Sequence, residues 1–552
     1  RQLLETAAKE HAHLAFARIE TSNGETAMLN LGLSLAPGDV VVLRGSMPEH
    51  KDWLQSLDAR AESRERIATV TVRGHEEPVP ALFISRRALR GAGFLDAERF
   101  PKPEDALADF RTRCEMLGFR NLVVDSVDLP IHTEPSRPCV LVVVHAGTGG
   151  SLFACEDLLP EISRAFRCLL LVTHVSHWSL WEINGTGSTA LRKYRFSDPW
   201  QLDAPLGSER EEVIRDLCLQ FRVDLASIQH LLFTGPGLIV ALKQLQLSLV
   251  PTLHDFYMAC PSLHLVDDQG RPCGGHCTDS AGDCLVGNTL IREPRPILKH
   301  HFVHDHRRQM ANALEQCDAV TVPSKFVRNR VLELFPSITS RNVHIVEPGM
   351  HAGNREIAVP PDLRVPARVV CLGHLSRLKG IELILRLMEI DTSSGRCFEF
   401  HFLGTVEPGF DLSRLGGIEH GAYQREDCLD LLAGIAPSFS LLTPICEETY
   451  SFTLSESWAA GIPVFASDRG ALKERIERHG GGWLLDPDDP EAFYASMVAV
   501  RDSPRIWAEQ AARAALIDQP QRSQSAGEMI DLFNTCLANR EKSGQGRQGA
   551  IG

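Results

Sequence analysis

Two blocks of the chain alternate short apolar runs with amphipathic segments. In the first block, apolar runs occupy residues 140–145, 169–175, 231–233, 250–254, 319–323 and 343–346. In the second block they occupy residues 369–372, 398–403, 439–443 and 464–466. Such alternation predicts parallel sheets covered by helices. We therefore expect an α/β fold with two doubly wound, Rossmann-like domains that face a cleft, where ligands bind beyond the carboxyl ends of the strands.

The same pattern divides the chain into four segments. Residues 1–135 form a smaller α/β segment of different character, and residues 138–352 form the first alternating block. A stretch that contains Pro, Gly and His leads to the second block at residues 366–520. Residues 521–552 are expected to form a terminal helix and a polar, Gly-rich, disordered tail.

Composition and charge narrow the functional classes. The 552 residues suit about three domains. The formal net charge of -14 argues against nucleic acid as the main partner, because a phosphate backbone requires a basic surface. No apolar run approaches the roughly 20 residues that a membrane-spanning helix needs. The 15 cysteines are mostly scattered, which suits a reducing cytoplasm. We expect a cytoplasmic protein that works at the inner face of the membrane.

Two carboxylates, Glu448 and Glu456, follow the apolar run at residues 439–443, with seven residues between them. A helix is expected to begin near Thr453, which leaves the backbone N–H groups of Thr453 and Leu454 facing an anion. One carboxylate can then hold hydroxyls on one side of a bound diphosphate, and the other can hold hydroxyls on the far side. The segment predicts a nucleotide-sugar site. The alternative is an ordinary amphipathic helix with two solvated acids.

The segment continues with Ala-Ala-Gly-Ile-Pro-Val at residues 459–464 and resembles the signature of family-four retaining glycosyltransferases. These enzymes have the two-domain GT-B fold, and the resemblance is closest to O-antigen and exopolysaccharide enzymes. It implies that Glu448 contacts the donor sugar, Glu456 contacts the ribose, and the amides between them hold the phosphates. The chain departs from the family at residues 449–451, Thr-Tyr-Ser, where many members have a Gly-rich loop.

A second wall of the phosphate site is predicted at residues 373–380, Gly-His-Leu-Ser-Arg-Leu-Lys-Gly. A strand ends near Gly373 and a helix begins near residue 380. The ammonium of Lys379 can neutralise a diphosphate, and Arg377 can add a planar fork of donors. The resemblance implies an Arg just after the first Gly, where this chain has His374, so Arg377 or the backbone amides would have to take that role. A solvated turn is the alternative.

In the first block, His-Ala-Gly-Thr-Gly-Gly at residues 145–150 follows a strand and precedes a helix. Gly149 and Gly150 let the backbone approach a ligand and expose N–H groups. The resemblance makes this the first loop of the acceptor domain. It also implies that His254, at the end of another strand, lies close to the transferred sugar and donates a hydrogen bond to a hydroxyl. A structural histidine at a strand end is the alternative.

One turn-rich loop departs from the scattered use of cysteine. It contains four of them, at Cys260, Cys273, Cys277 and Cys284. Four thiols in a segment without its own core suit a structural, tetrahedral zinc ion. The spacing is not a pair of Cys-x-x-Cys knuckles, and reduced thiols packed in a loop are the alternative.

Residues 299–308 form a basic, His-rich run on a predicted helix. Such a run could make a peripheral contact with anionic lipid or with a lipid-diphosphate acceptor. The alternative is a solvated helix face.

Residues 1–135 resemble the second half of a family-two, GT-A type glycosyltransferase. The resemblance implies a metal and diphosphate site after the strand at residues 40–43, but residues 44–47 read Arg-Gly-Ser-Met. A divalent metal needs hard oxygen ligands, and a carboxylate is the usual one. We expect a truncated, degenerate GT-A-like domain whose nucleotide-binding half lies upstream of Arg1. An active second transferase and an unrelated α+β domain are the alternatives.

These features predict a glycosyltransferase that moves a hexosyl or deoxyhexosyl group from a nucleoside diphosphate to a polysaccharide or lipid-linked glycan. The resemblance implies retention of anomeric configuration without a protein nucleophile. The chain would supply positioning and charge stabilisation, so no metal or other cofactor is expected for catalysis. A nucleotide-sugar epimerase of the same fold and a non-catalytic glycan-binding scaffold are the alternatives.

Overall fold

The structure is a computed structural model that describes residues 33, 40–43, 67–73, 81–84, 86–100, 102–117, 119–125, 137–147, 149–202, 205–279, 284, 302–350 and 358–548. Its contacts divide the chain into two compact units. Unit 1 comprises Arg1–Ser136 with Asp216–Gln220, and unit 2 comprises Arg137–Arg215 with Phe221–Gly552. None of the helices in the described ranges is both long enough and apolar enough to cross a bilayer.

Among its described residues, unit 1 contains a mixed four-stranded sheet and two helices. The strands are β1 (Val40–Leu43), β2 (Ile67–Arg73), β3 (Ala81–Ile84) and β4 (Arg120–Asp125), and the helices are α1 (Arg86–Ala92) and α2 (Pro103–Met116). The strand order is β1-β3-β2-β4, with β2 and β4 parallel and the other two pairs antiparallel. Ile84 and Phe110 are fully buried in the core of this unit. Residues 44–47 lie outside the described residues, and the relationship to GT-A enzymes stays a prediction.

The first sheet of unit 2 has six strands. They are β5 (Cys139–His145), β6 (Arg167–Thr173), β7 (His177–Asn184), β8 (Gly187–Arg195), β9 (Val223–Ile228) and β10 (Ser248–Pro251), in the order β10-β9-β5-β6-β7-β8. The four strands from β10 to β6 are parallel, and β7 and β8 add an antiparallel hairpin. Strand β5 is buried along its whole length, as expected for a central strand of a parallel sheet.

In the described part of this half, five helices and a two-stranded ladder accompany the sheet. The helices are α3 (Gly150–Ala165), α4 (Ser208–Phe221), α5 (Gly237–Gln244), α6 (Phe302–Leu314) and α7 (Lys325–Leu334), and the ladder pairs β11 (Val320–Val322) with β12 (Val343–Ile345). Helix α3 begins at the predicted Gly-rich loop, and Gly149 precedes its first residue with a φ of 129°.

One predicted strand of this half is wrong. Residues 231–233 form a turn, in which Phe233 has a left-handed φ of 68°. The strand in this part of the chain is β9, which ends before the turn, at Ile228. The turn is as apolar as a strand because its three side chains are buried, and an apolar run cannot by itself distinguish the two. The hairpin β7–β8 was not predicted; Asn184 pairs with Gly187, so its two-residue loop is Gly185-Thr186, with glycine at the first position.

The second sheet of unit 2 has six parallel strands. They are β13 (Ala367–Leu375), β14 (Phe398–Val406), β15 (Ile418–Gly421), β16 (Phe439–Leu442), β17 (Val464–Ser467) and β18 (Gly482–Leu485), in the order β15-β14-β13-β16-β17-β18. The helices of this half are α8 (Ile381–Ser393), α9 (Cys428–Ile435), α10 (Phe452–Ala459), α11 (Gly470–His479), α12 (Pro490–Arg501) and α13 (Pro504–Leu516). All four apolar runs predicted here coincide with strands.

A last helix, α14 (Arg522–Gln548), returns from the second sheet to the first. Its residues Met529 and Phe533 are buried in the same core cluster as Val140 of β5. The Ser248 hydroxyl of β10 also donates to the carbonyl of Cys536, at 3.4 Å. The two Rossmann-like sheets that the sequence predicts are therefore present in one compact unit and are joined by this helix.

Candidate active site

The loop between β16 and α10 carries Glu448 and is held in an unusual conformation. Helix α10 begins at Phe452, and Ser451 before it has a φ of 71° and makes no side-chain cap. The Arg475 guanidinium fixes this turn by donating to the carbonyls of Tyr450 and Ser451, each at 3.0 Å. A serine with a positive φ is strained, and this conformation persists only where the surroundings impose it. The uncapped turn leaves the first N–H groups of α10 available to an anion.

Lys379 and Glu448 form an ion pair in which Lys379 Nζ donates to Glu448 Oε1. Burial would lower the pKa of the Lys379 ammonium, but the charge of Glu448, Cys446 and the hydrogen bond to Glu448 together outweigh it and hold that pKa above its ordinary value. The Glu448 side chain is only 13% exposed. The two predicted walls of the phosphate site are therefore in direct contact.

Backbone packing brings these two walls together. Ile445 N donates to the carbonyl of Leu378 at 3.0 Å. Gly380, with a φ of +79°, lies so close to β16 that a Cβ there would be 1.7 Å from the Thr443 oxygen. A glycine is thus required at residue 380, immediately after the lysine.

Glu456 lies on α10 and is 5% exposed. Its Oε2 accepts a hydrogen bond from the Tyr423 hydroxyl at 2.9 Å. Burial raises the pKa of Glu456 to about 7, and Tyr423 and Arg425 oppose that rise. The sequence interpretation missed Tyr423, because this residue follows β15, a strand that the apolar pattern did not predict either.

The predicted glycine positions lie at the amino end of α10. A Cβ at Gly373 would be 3.2 Å from Thr453 Cγ2, and one at Gly150 would be 3.4 Å from the Phe452 ring. The Gly149–Gly150 turn of the first half therefore approaches the helix that carries Glu456. Leu454, the other residue predicted to face an anion, has its side chain fully buried in the core, so only its backbone can contribute to a site.

Arg377 lies apart from the ion pair. Its guanidinium is 3.6 Å from Glu382 and 5.5 Å from the centroid of the Phe410 ring, with the side chain 69% exposed. His374, where the family has an arginine, pairs through Nδ1 with the Thr405 hydroxyl at 2.8 Å. The diphosphate role predicted for Arg377 gains no support from these contacts.

His254 lies where the two halves of unit 2 meet, and its carbonyl accepts from the Thr449 hydroxyl at 2.6 Å. The Gln229 amide donates to Ser227 Oγ, so its oxygen faces His254 Nε2 at 2.8 Å and accepts that proton. Burial lowers the pKa of His254 to about 4. The neutral ring then has an unprotonated Nδ1, which corrects the expectation of a donor: His254 can offer a sugar hydroxyl an acceptor only.

The neighbouring carboxylate is also fixed in place. His230 Nδ1 accepts from Leu232 N at 2.9 Å, so its Nε2–H donates to Asp255 Oδ2 at 2.9 Å. Tyr257 N donates to the other oxygen at 2.9 Å. Burial would raise the pKa of Asp255, but His230 and these hydrogen bonds hold it below the usual range. The structure thus adds an oriented carboxylate and its histidine partner to the site.

Part-buried ion pairs join the two halves around the site. Asp157 of α3 is bound by Arg425 Nη1 at 3.0 Å and by Arg522 Nε at 2.8 Å. Arg330 of α7 binds both oxygens of Glu447, at 2.9 and 3.1 Å. Sequence reasoning could not find these pairs, because their members are far apart along the chain.

The four cysteines of the turn-rich loop are not arranged as a metal site. Among the described residues, no group of three or more His, Cys, Asp or Glu side chains could hold a metal ion. Cys260 instead accepts from the Ser262 hydroxyl at 3.2 Å, and the Cys284 thiol is 3.9 Å from Asp268 Oδ1. Cys273 and Cys277 are free thiols. The predicted structural zinc gains no support from these contacts, although the other three cysteines act on the pKa of the Cys273 thiol.

The His-rich run is only partly described, since residues 299–301 lie outside the described residues. The remainder begins helix α6. His306 is 7% exposed, and its Nε2 donates to the Tyr257 carbonyl at 2.7 Å. At His306 the helix therefore faces the protein interior. The contact of the His-rich run with a membrane stays a prediction.

Comparisons with known proteins bear on the second half most directly. Residues 366–502 match a family model described as glycosyl transferases group 1. The amylovoran biosynthesis glycosyltransferase AmsK of Erwinia amylovora is 21% identical over 218 residues, which are 37% of this chain and 52% of that protein. The chain therefore spans about half the length of this curated relative.

Among solved structures, a sucrose-phosphate synthase from Thermosynechococcus elongatus superposes with a TM-score of 0.50 and 14% identity. The match covers 73% of this chain and 100% of that chain. At this identity the likeness shows the fold alone. The comparisons thus indicate a segment similar to group 1 glycosyl transferases at residues 366–502 and, over most of the chain, a fold like that of this synthase.

Proposed function

We propose that the protein transfers a hexosyl or deoxyhexosyl group, with retention of anomeric configuration, from a nucleoside diphosphate to a polysaccharide or lipid-linked glycan. The observation that carries the proposal is the Lys379–Glu448 ion pair beside the uncapped amino end of α10, the helix on which Glu456 is buried. A cation and a helix N-terminus suit a diphosphate, and two carboxylates suit hydroxyls. The Erwinia relative acts in amylovoran biosynthesis, which favours a cell-surface polysaccharide, of O-antigen or exopolysaccharide type, as the product.

Donor binding would exchange the partners of Lys379. The doubly charged diphosphate draws the ammonium away from Glu448, and the released carboxylate accepts hydrogen bonds from the sugar hydroxyls. Glu456 accepts from the ribose hydroxyls on the other side of the diphosphate. The Thr453 and Leu454 N–H groups face the phosphate oxygens between them.

Transfer then needs no protein nucleophile. The bond between C1 and the diphosphate oxygen breaks, and its electron pair leaves with the nucleoside diphosphate. The acceptor oxygen bonds to C1 on the same face, and its proton passes to the departing phosphate. Lys379 and the α10 amides stabilise the negative charge that develops there, and Gly149, Gly150 and Gly373 let the backbone approach the ligand. Arg377 could reach the diphosphate only by leaving Glu382.

Glu448→Gln tests the proposal. The amide keeps the shape of the side chain but loses the charge that holds Lys379 and the sugar hydroxyls, so we expect nucleoside diphosphate release to fall by at least about 100-fold. Release would be measured with UDP-glucose, UDP-galactose, GDP-mannose and dTDP-rhamnose as donors, after thermal-shift screening with the same four. Glu419→Gln, an exposed carboxylate on β15, is the matched control and should match the wild type.

Two outcomes would overturn the proposal. An unchanged rate in Glu448→Gln would remove the role of this residue. Formation of a sugar isomer from the donor alone, without net transfer to a glycan, would point to an epimerase.

A further inference from the structure

His264 lies at the junction of the two halves, ten residues beyond His254 on the turn-rich loop. This loop meets the segment that carries Glu448 on both sides of His264: the His254 carbonyl accepts from the Thr449 hydroxyl at 2.6 Å, and a Cβ at Gly270 would lie 3.8 Å from Ile445 Cδ1. The charges of Lys379, Asp255 and Glu448 accordingly act on the pKa of the His264 ring. His264 in turn contributes to the lowered pKa of Asp255. The histidine is therefore close to the ion pair on which the proposed function depends.

The backbone on both sides of His264 is strained. Leu263 and Leu265 have left-handed φ values of 67° and 51°, in a region that a bulky side chain rarely occupies. Both leucines are buried, at 8% and 0% exposure. Strain of this kind persists only where the surroundings impose it, and it often marks a functional site.

Hydrogen bonds impose this conformation. Leu263 N donates to the Cys260 carbonyl at 3.1 Å, and the Leu263 carbonyl accepts from Phe256 N at 3.1 Å. The Leu265 carbonyl accepts from Cys273 N at 2.8 Å. The two buried leucines anchor the loop in the protein, while His264 between them is only half-buried.

His264 differs from His254 in what it can offer. The Nε2–H of His254 is already committed to Gln229, so His254 provides an acceptor only. Burial, followed by the charge of Lys379, lowers the pKa of His264, which keeps its ring neutral at physiological pH. A neutral imidazole can donate through one nitrogen and accept through the other.

We propose that His264 is a sugar-contacting residue of the transfer site, and that it hydrogen-bonds a hydroxyl of the transferred sugar from the first half, while Glu448 contacts the sugar from the second half. This inference rests on the proposed function. It assigns to the strained loop the task of presenting one imidazole from the first half to a donor bound on the second half. When Lys379 turns to the diphosphate, His264 and Glu448 hold the sugar between them.

The test compares ligands that differ only by the sugar. Affinities for UDP and UDP-glucose, and for GDP and GDP-mannose, would be measured by calorimetry for the wild type, His264→Ala and His264→Gln. Release of nucleoside diphosphate would be measured with the same two donors. His276→Ala is the matched control, because this histidine lies on the same loop but is exposed and bound to Glu333.

We expect His264→Ala to lose about tenfold in affinity for the nucleotide sugar and in kcat, which is the size of one hydrogen bond to a buried partner. Affinity for the nucleoside diphosphate alone should change by less than about threefold, and His264→Gln should recover part of the loss. His276→Ala should resemble the wild type.

Equal affinities of His264→Ala and the wild type for the nucleotide sugars would overturn the inference. So would an equal loss for nucleotide and nucleotide sugar with no recovery in His264→Gln, since that would show collapse of the loop. A wild type that binds these donors but releases no nucleoside diphosphate would contradict the proposed function, while the affinity difference would still test His264. A wild type that binds none of UDP-glucose, UDP-galactose, GDP-mannose and dTDP-rhamnose would overturn both.

Discussion

The two carboxylates of the site have different surroundings and therefore different chemistry. Glu448 is neutralised by Lys379, whereas Glu456 is 5% exposed and has the Tyr423 hydroxyl as its hydrogen-bond donor. Burial raises the pKa of Glu456 to about 7. Because this pKa lies above its unfolded value, Glu456 contributes stability at low pH that is lost as the pH rises through about 7.

Donor affinity should rise with pH, whereas the stability contributed by Glu456 falls. Ribose hydroxyls need an acceptor, and Glu456 accepts fully only as a carboxylate, so affinity should fall as the pH drops below about 7. The limiting slope is about tenfold per pH unit if the neutral acid does not bind. Titrations of UDP-glucose and GDP-mannose between pH 5.5 and pH 8.5 would measure it.

Tyr423→Phe should move that dependence to higher pH. The variant removes the hydroxyl that stabilises the carboxylate, so the pKa of Glu456 should rise further. Glu456→Gln, which cannot ionise, should bind weakly without the pH dependence. An affinity that falls identically in the wild type and in Glu456→Gln would assign the titration to another group.

At the scale of elements, the predicted and observed structures agree best where the pattern is local. All four predicted strands of the second half coincide with strands, and α3, α8 and α10 begin within a residue or so of the expected positions. The turn at residues 231–233 was predicted as a strand, because burial makes both kinds of segment apolar. Strands β15 and β18 at the edges of the second sheet were not predicted.

Gly380, which precedes α8, offers a test of how closely two elements pack. Gly380→Ala should destabilise the protein by at least about 2 kcal/mol, since a Cβ would lie 1.7 Å from the Thr443 oxygen at a φ of +79°. It should also weaken donor binding, because Lys379 would be displaced. Gly527→Ala, in open space on α14, should raise stability by about 0.5–1 kcal/mol. Urea unfolding of both variants would measure the two effects, and equal midpoints would contradict the packing argument.

At the scale of the whole molecule, unit 2 is held together across its site. Asp157 of the first half is 9% exposed and binds both Arg425 and Arg522. The Arg425 guanidinium also lies over the rings of Phe153 and Phe452, at 5.3 and 5.0 Å. Arg425 further acts on the pKa of Glu456. One arginine thus contacts both halves next to the predicted ribose site.

Asp157→Asn should weaken this connection. The amide leaves two part-buried guanidinium groups without their counter-charge, so we expect a loss of about 3 kcal/mol in stability. Glu491→Gln removes the partner of Arg386 in a pair that is 50% and 63% exposed, and should cost less than about 1 kcal/mol. The urea midpoint of the first unfolding transition would be compared among the wild type, Asp157→Asn and Glu491→Gln. Equal shifts would contradict a special role for Asp157.

The sequence by itself determined the local features: the alternating strands and helices, the spacing of Glu448 and Glu456, and the glycines that bring backbones close. These follow from periodicity and from the conformations that each residue allows. Only the tertiary structure decided that Lys379 meets Glu448 across 69 residues, that Tyr423 contacts Glu456, and that the His254 ring is turned to Gln229. It also separated Arg377 from the ion pair and placed His264 beside it. Such contacts depend on how distant segments pack, and no short stretch of sequence encodes that packing.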